Sequence, residues 1–407
     1  MIFFVMVDER NLKEKINKTL EKIKIIDIHT HLFPPYFKDL FLYGIDYLLT
    51  YHYLIAETIR YLSISPDDFY NLSLKDQAEL VWKTLFVDRS PISESARGIV
   101  TILTEVEVDF EKKDLSAIRA YFEKVDVESY VDLIFEKAKI DYVVMTNDPL
   151  DEKEMQYWKC NVFKDKRFRP SLRLDRLIND WENIREYLKV KDYKEIKDHL
   201  DKWFLMIEPL YIALSFPPDF RYPDDTLRSR LLEEIILYSE ERKVPIALMI
   251  GAKRSVNPSL RLAGDSVGKS NIESIENLCR SFPNNKFMVT MLSRENQHEL
   301  CVTARKFKNL MIFGCWWFLN TPSLIEEITK MRLELLGFSF IPQHSDARVL
   351  EQLIYKWKHS KEIIKKVLYD KYLALIRSGW TLKEEDIERD ITQLFRKNFE
   401  DFIFSKQ

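Results

Sequence analysis

Two histidines stand two residues apart at the end of an apolar run, His29 and His31 in the segment IIDIHTH. Side chains at positions i and i+2 of a β-strand point the same way, so both imidazoles would project together. Two neighbouring imidazoles can share one divalent metal ion. The alternative is a hydrogen-bonded pair with a structural role only. The spacing, and the position on the first predicted strand, favour a metal site.

A carboxylate near the other end of the chain could complete such a site. Asp346 lies in IPQHSDAR, directly after the last apolar run. In a closed barrel the last strand is the neighbour of the first, so Asp346 would face the two histidines. A carboxylate there can bind a metal or act as a base. Without the histidine pair, Asp346 would be interpreted as the N-cap of a helix that begins at Ala347.

Eight short apolar runs are typical of buried parallel strands. They cover residues 23–29, 140–146, 168–174, 203–214, 244–250, 286–292, 309–315 and 337–341. Helical patterns separate most of them, with examples at residues 225–241, 271–282, 295–307 and 323–336. Strand and helix alternate to a count of eight, which predicts an α/β protein with a (β/α)8 TIM-type barrel.

One connection, residues 34–138, is too long to join a strand to the next helix directly. It is rich in aromatic and charged residues with helical patterning. We interpret it as a helical insertion after the first strand, at the active-site end of the barrel. Residues 356–407 predict further helices outside the barrel. The chain, residues 1–407, is therefore expected to form a single barrel domain with the insertion 34–138 within it.

Composition excludes several classes of protein. The 62 basic and 65 acidic residues are well mixed and leave a net charge of −3, which argues against nucleic-acid binding. The four cysteines lie far apart without a CxxC pair, which favours a reduced, cytoplasmic setting. The apolar start, residues 1–7, is too short for a signal peptide or a membrane span. The expected partner is therefore a small molecule, neither a nucleic acid nor a membrane.

An HxH pair on the first strand with an aspartate after the last is the pattern of the amidohydrolase superfamily. Within it, the chain resembles the uronate isomerases. Seven segments carry this resemblance, in the same order as in that family and over most of the chain. They are YHYLIAETIR (51–60), TNDPLD (146–151), RPSLRLD (169–175), IGAKR (250–254), GDSVG (264–268), GCWWFLN (314–320) and HSDAR (344–348). The WWF triplet together with SDAR is the most specific match.

The resemblance implies the metal ligands and part of the catalytic set. His29, His31 and Asp346 would bind one divalent metal ion, and their ligand types suit Zn²⁺ or Mn²⁺. Asp346 would also act in catalysis. His52 and Tyr53 would reach in from the insertion, near the carbons that exchange a proton.

Substrate recognition is implied for arginine and tryptophan side chains. Arg173 and Arg348 would meet the substrate, and Arg348 would also act in catalysis. A planar guanidinium suits a uronate carboxylate because it binds two oxygens at once. Arg254 is a third candidate for substrate binding. Trp316 and Trp317 would form a wall of the pocket, on which the apolar faces of a sugar can stack; plain core packing is the alternative for both.

The chain departs from the family pattern at two places. Uronate isomerases usually have a histidine where this chain has Met249. They also have an Asp-His-Gly segment near the fourth strand, which is absent here. His344 does not belong to the family pattern, and it could be a replacement ligand or base, or a surface or core histidine.

The implied reaction is the aldose–ketose isomerisation of a hexuronate, of the type D-glucuronate to D-fructuronate. The partner would be a small sugar acid, and the enzyme is expected to form a homo-oligomer. Two alternatives remain open. One is a mononuclear metal-dependent hydrolase on the same scaffold, and the other is a sugar-acid-binding barrel that has lost catalysis. The missing histidines favour the second alternative, whereas the retained HxH pair and Asp346 argue against it.

Overall fold

A parallel sheet of seven strands organises the molecule. The computed structural model describes residues 6–160 and 165–404, so most of the apolar start lies outside the described residues. The strands are β1 (Met6–Val7), β2 (Ile25–Thr30), β3 (Ile140–Asn147), β4 (Phe168–Arg173), β5 (Ile212–Phe216), β6 (Ile246–Ile250), β7 (Ala252–Lys253), β8 (Ser266–Val267), β9 (Phe287–Met291), β10 (Leu310–Ile312) and β11 (Leu382–Lys383). The large sheet has the order β2-β3-β4-β5-β6-β9-β10, and each strand pairs in parallel with its neighbours. Strand order in the sheet thus follows chain order.

Helices fill the connections between these strands. They are α1 (Leu12–Lys22), α2 (Ile45–Leu49), α3 (His52–Ile59), α4 (Pro66–Tyr70), α5 (Leu74–Trp82), α6 (Glu94–Glu105), α7 (Leu115–Phe122), α8 (Val127–Ala138), α9 (Glu152–Lys159), α10 (Asp175–Asn179), α11 (Trp181–Leu188), α12 (Lys197–Ile207), α13 (Leu227–Arg242), α14 (Glu273–Ser281), α15 (Gln297–Ala304), α16 (Pro322–Leu336), α17 (Gln352–Arg377), α18 (Glu384–Thr392) and α19 (Asn398–Phe404). Short 3-10 turns add Pro35–Leu40, Tyr193–Ile196, Pro258–Gly264, Arg294–Asn296 and Trp317–Leu319, and π turns add Lys83–Val87 and Gln393–Lys397. Among the described residues, no helix has both the length and the apolar character needed to cross a bilayer.

Burial explains why the strands are almost continuously apolar. All five residues of β6, IALMI, are buried, and so are all five of β9, FMVTM. A parallel strand covered on both faces has no polar side, so its side chains do not alternate in polarity. The same lack of alternation is why these strands could be predicted from the sequence.

The strand predicted over residues 203–214 is wrong in its first half. Residues up to Ile207 belong to α12, and β5 begins only at Ile212. The buried side chains of that helix, Leu200, Trp203 and Ile207, are spaced by three and four residues. This spacing is the helical period, which a short apolar window does not distinguish from a buried strand.

The eighth predicted strand, residues 337–341, is reduced to a single bridge. Ile341 pairs in parallel with Phe313, next to β10. The chain then continues beside β2, where the Asp346 amide donates to the His29 carbonyl at 3.1 Å and the His31 amide donates to the Ala347 carbonyl at 2.7 Å. Residues 341–347 are therefore hydrogen-bonded near both edges of the seven-stranded sheet.

The segment between β2 and β3 is predominantly helical, from α2 to α8. One residue of this segment, Tyr70, contacts a distant part of the chain: its hydroxyl donates to the Leu260 carbonyl at 2.7 Å. Leu260 lies in the turn Pro258–Gly264, which follows β6 and β7. The segment between β2 and β3 thus contacts the turn that follows β6 and β7.

Candidate active site

His29, His31 and Asp346 lie together at the carboxyl end of β2. The two imidazole rings are edge to face, with 5.4 Å between their centroids. Nε2 of His29 is 3.8 Å from Oδ1 of Asp346, and Nε2 of His31 is 3.3 Å from the same oxygen. The donor atoms of all three residues lie within 4.8 Å of one another. We call these residues the three-ligand group.

Hydrogen bonds on the far side of each ring determine which nitrogen faces Asp346. The Tyr211 hydroxyl donates to the Ile28 carbonyl at 2.7 Å, so toward Nδ1 of His29, 3.3 Å away, it can only accept. Nδ1 of His29 therefore carries the proton. The Thr146 hydroxyl donates to the Thr30 carbonyl at 3.0 Å and lies 2.8 Å from Nδ1 of His31, so Nδ1 of His31 carries its proton for the same reason. Both Nε2 atoms are left with lone pairs directed at the carboxylate.

The electrostatics agree with this assignment. Burial, together with the neighbouring His31, lowers the pKa of His29 to about 3. Burial and the charge of Arg348 lower the pKa of His31 to about 4. Oδ1 of Asp346 has no hydrogen-bond donor among the described residues. Two neutral imidazoles and one carboxylate thus point lone pairs at one another, an arrangement that a cation would stabilise.

The separations suit a single small divalent ion. Ligands held at about 2.0–2.2 Å in a tetrahedral site lie about 3.3–3.6 Å apart. The observed 3.3 and 3.8 Å between the imidazole nitrogens and Oδ1 of Asp346 bracket that range closely. The residues present therefore fit a possible metal site, with a hydroxyl on the outer nitrogen of each imidazole.

Asp27 ties the segment that contains Asp346 to the first strand. Its Oδ1 accepts from the Ser345 amide at 3.0 Å, and its Oδ2 accepts from the Trp357 indole at 2.8 Å. Asp346 itself has φ +52°, the left-handed region that non-glycine residues adopt rarely. The surrounding hydrogen bonds hold this strained conformation, as is common at functional sites.

His29, His31 and Asp346 all line one cleft, which is partly open to solvent. Arg173 and Arg348 line it. The Arg173 Nε donates to Asp175 at 2.7 Å, and the other oxygen of Asp175 accepts from the Ser215 amide at 2.6 Å. Because this carboxylate accepts the Nε–H of Arg173, the two Nη nitrogens can donate hydrogen bonds to a ligand.

Two tryptophan side chains and Arg254 also line the cleft. Trp316 and Trp317 line the cleft while only 4% and 7% of each is exposed, so they serve both the core and the cleft. Trp317 has φ +50°, unusual for a bulky residue, and stacks on Phe318 at 4.7 Å. Arg254 lies near the mouth, 5.5 Å from the Trp317 ring and paired with Asp265.

Of the two site residues predicted between the first two strands of the large sheet, His52 lines the cleft and Tyr53 does not. His52 lines the cleft, and its ring is 5.8 Å from that of Trp317. Tyr53 packs behind His52 at 4.5 Å and is not one of the described residues that line the cleft. Burial, with the charge of Arg348, lowers the pKa of His52 to about 3, so the imidazole is neutral.

His344 is a core residue, not a fourth member of the three-ligand group. It is completely buried, and its ring packs against those of His29 and Phe313, each 5.4 Å away. Gly314 makes room for it, because a Cβ on Gly314 would lie 1.8 Å from Nδ1 of His344. Met249, where the family pattern has a histidine, lines the cleft.

The sequence analysis missed several supporting residues. Tyr211 and Asp175 each bond to a predicted site residue, His29 and Arg173, and Asp27 bonds to Ser345, the neighbour of Asp346. Thr146 and Asp175 lie inside segments that carry the family resemblance, and this was the available signal. Tyr211 lies 182 positions from His29 in the sequence, and no spacing pattern connects two residues so far apart.

Comparisons with known proteins give matches among solved structures. No protein-family model matches the chain, and no curated protein sequence matches it. The crystal structure of a uronate isomerase from Bacillus halodurans C-125 is 46% identical in sequence, with a TM-score of 0.96 over 99% of this chain and 98% of that chain.

Two more distant structures share the fold. A uronate isomerase from Thermotoga maritima is 17% identical, with a TM-score of 0.76 over 99% of this chain and 100% of that chain. A glucuronate isomerase from Caulobacter crescentus is 15% identical, with a TM-score of 0.80 over 98% of this chain and 95% of that chain. The identity and coverage of the Bacillus halodurans match, together with the geometry of the three-ligand group, show that the chain belongs to the uronate isomerase family.

Proposed function

We propose that this protein is a metal-dependent isomerase that interconverts a hexuronate aldose and its ketose, of the type D-glucuronate to D-fructuronate. The observation that carries this proposal is the convergence of His29, His31 and Asp346 at the base of a cleft lined by Arg173 and Arg348. The family relatives are named as uronate and glucuronate isomerases. A sugar acid offers the cleft a carboxylate for an arginine and hydroxyls for the three-ligand group.

We also propose that the fold is a closed (β/α)8 barrel in one domain. Residues 337–341 would be the eighth strand, supported by the bridge of Ile341 to Phe313 and the hydrogen bonds of residues 346–347 to β2. Residues 34–138 would be an insertion over the carboxyl ends of the strands. His52, on the insertion, lines the cleft and supports this placement.

One divalent ion, Zn²⁺ or Mn²⁺, would be held by His29, His31 and Asp346. When bound, it would polarise the sugar oxygens at C1 and C2 and stabilise negative charge on them. Tyr211 and Thr146 orient the two imidazoles. Both ions accept imidazole and carboxylate ligands.

The protein's own side chains would position the sugar and move a proton. Arg173, with its Nε held by Asp175, presents its two Nη nitrogens to the substrate carboxylate. His52 is neutral and lines the cleft, so it can take the proton from C2 and deliver it to C1, while the O2 hydroxyl proton moves to O1. Arg348 stabilises negative charge on the reacting oxygens, and Tyr53 fixes the His52 ring from behind.

The tryptophans would orient the chain of the sugar by contact with its C–H faces. Trp316 and Trp317 are held by the core, so they present a rigid surface. Arg254 would contact polar groups of the substrate near the mouth. The four cysteines are free in the structure, which supports the proposed cytoplasmic setting. A homo-oligomeric assembly stays a prediction.

The test is turnover of several hexuronates by the purified protein, with ketose formation coupled to its reduction. The protein is stripped of metal and then supplied with Zn²⁺ or Mn²⁺. We expect activity with at least one hexuronate and with added metal, and loss of metal binding in His29→Asn. Hydrolysis of an amide or lactone without isomerisation would favour the hydrolase alternative. Saturable binding of a uronate without any turnover would favour a barrel that has lost catalysis.

A further inference from the structure

Lys356, in the second turn of α17, is a buried cation without a partner. Only 3% of the residue is exposed, and its Nζ has no hydrogen-bond acceptor among the described residues. Burial lowers the pKa of Lys356 to about 8. A buried ammonium that is neither paired nor hydrogen-bonded destabilises a fold, so a lysine in such a place requires a reason.

Several charged groups act on Lys356, but none of the described residues forms an ion pair with it. Asp27 faces it from β2, Asp346 and Arg348 face it from the segment after Ile341, and Glu94 faces it from α6. No ion pair within 4.0 Å joins Lys356 to an acid of the described chain. Both carboxylate oxygens of Asp27 instead accept hydrogen bonds, one from the Ser345 amide and one from the Trp357 indole.

The lysine lies behind the insertion residues of the cleft. Its Nζ is 6.0 Å from the ring centre of Tyr51 and 5.8 Å from that of Tyr53. The His52 ring lies between them in sequence and is 4.2 and 4.5 Å from the two tyrosine rings. The positive charge of Lys356 is also one of the causes that lower the pKa of His52.

Unpartnered polar atoms are concentrated at this place. The hydroxyls of Tyr51 and Tyr53, Nε2 of His52 and Nζ of Lys356 are all buried without a hydrogen-bond partner among the described residues. Native proteins leave few such atoms. Four of them on neighbouring side chains, beside a cleft, indicate a surface arranged for a reaction and not for stability alone.

We propose that Lys356 is a positioning residue for the isomerisation, whose buried ammonium supplies positive charge behind His52 and Tyr53. This inference rests on the proposed function. In that reaction one proton moves from C2 to C1 and the O2 hydroxyl proton moves to O1, while negative charge develops on these two oxygens. Lys356 neither gains nor loses a proton; its positive field stabilises the negative charge that develops on the two sugar oxygens.

The proposal predicts opposite effects on stability and on turnover. Lys356→Met fills the same space without a charge, so the melting temperature should stay the same or rise. The kcat should fall about 10- to 100-fold, because one charge that acts through a poorly solvated region is lost. The KM should change less than about threefold. Lys356→Arg keeps the charge and should recover part of kcat.

The control is Lys366→Met on the same helix, whose ammonium pairs with Glu326 at the surface. It should leave kcat unchanged. Metal content is measured for each variant, since the proposal expects the metal occupancy of Lys356→Met to equal that of the wild type.

Four outcomes distinguish the possibilities. A lower kcat with unchanged or higher melting temperature, full metal content and partial recovery in Lys356→Arg supports the proposal. Unchanged kcat in Lys356→Met overturns it. A lower melting temperature in both variants shows a structural role and overturns it as well. Absence of isomerase activity in the wild type contradicts the proposed function instead, and then a fall in the melting temperature of Lys356→Met would still contradict the inference.

Discussion

The side-chain oxygen of Thr146 lies 2.8 Å from Nδ1 of His31 and 3.0 Å from the carbonyl of Thr30, to which it donates its proton. The hydroxyl therefore accepts the Nδ1–H of His31 and directs the Nε2 lone pair toward Asp346. Tyr211 does the same for His29 by donating to the Ile28 carbonyl. Tautomer and ring orientation at the three-ligand group are thus set by two hydroxyls that the HxH pattern does not contain.

Thr146→Val is expected to weaken metal binding about 10- to 100-fold, because partners of this kind typically contribute that much to metal affinity. Valine has the same shape and suits a strand, so the fold should be retained. Chelator competition measures the affinity. Tyr211→Phe should act in the same direction, and Thr303→Val, a buried threonine that bonds to Glu276, is the matched control. Equal metal affinities for all four proteins would exclude the orienting role.

Arg173→Lys is expected to raise the KM for a hexuronate about tenfold. Lysine keeps the charge but loses the fork that binds two carboxylate oxygens, a loss of about 1.4 kcal/mol. Turnover at saturation should change less than KM. Steady-state kinetics with the coupled assay measures both constants. Arg176→Lys changes a nearby, half-exposed arginine and should leave KM unchanged; the same KM shift in both variants would argue against carboxylate recognition by Arg173.

Gly314→Ala is expected to be far more destabilising than Gly337→Ala. Both glycines have left-handed backbone, with φ +65° and +59°, so each alanine costs about 1–2 kcal/mol of backbone strain. At Gly337 no atom lies within 4 Å of the added Cβ, whereas at Gly314 it would lie 1.8 Å from Nδ1 of His344. Displacing His344 should add about 1–3 kcal/mol and disturb His29. Urea unfolding of both variants gives the difference, and equal losses would show that His344 relaxes freely.

Glu351→Gln is expected to flatten the dependence of stability on pH. Burial raises the pKa of Glu351 to about 7, although one oxygen accepts from the Gly44 amide at 2.7 Å. The folded state then holds this proton more tightly than the unfolded chain, whose carboxyl has a pKa near 4.5. Stability therefore falls as the pH rises from about 4.5 to about 7, by up to about 3 kcal/mol for this group.

The measurement is the free energy of unfolding in urea at several pH values from 5 to 8. In Glu351→Gln the decrease over this range should be smaller than in the wild type. Glu388→Gln, on the exposed face of α18, is the control and should keep the wild-type slope. A variant at Glu351 with the same slope as the wild type would show that the carboxyl is already neutral, or already charged, across the whole range.

Local regularities made much of the architecture predictable. Buried parallel strands are mostly apolar on both faces, so β2, β3, β6 and β9 were predicted to within two residues of their observed bounds at each end. The same rule failed at residues 203–207, because a short buried helix is equally apolar and only its neighbours in space decide between the two. The predicted eighth strand is only one bridge, at Ile341, because strand pairing depends on neighbouring chain segments that lie outside the apolar run itself.

At the site, the order of residues alone identifies the atoms that can bind a metal. His29 and His31 must point the same way because of the two-residue period of a strand, and strand order brings Asp346 beside them. The protonation and orientation of those atoms, in contrast, follow from packing in three dimensions. The tautomers depend on Tyr211 and Thr146, which are 182 and 115 positions away along the chain. The burial of Lys356 depends on the packing of α17 against the insertion. Both are effects of distance and solvent exclusion in three dimensions, and a one-dimensional pattern does not encode them.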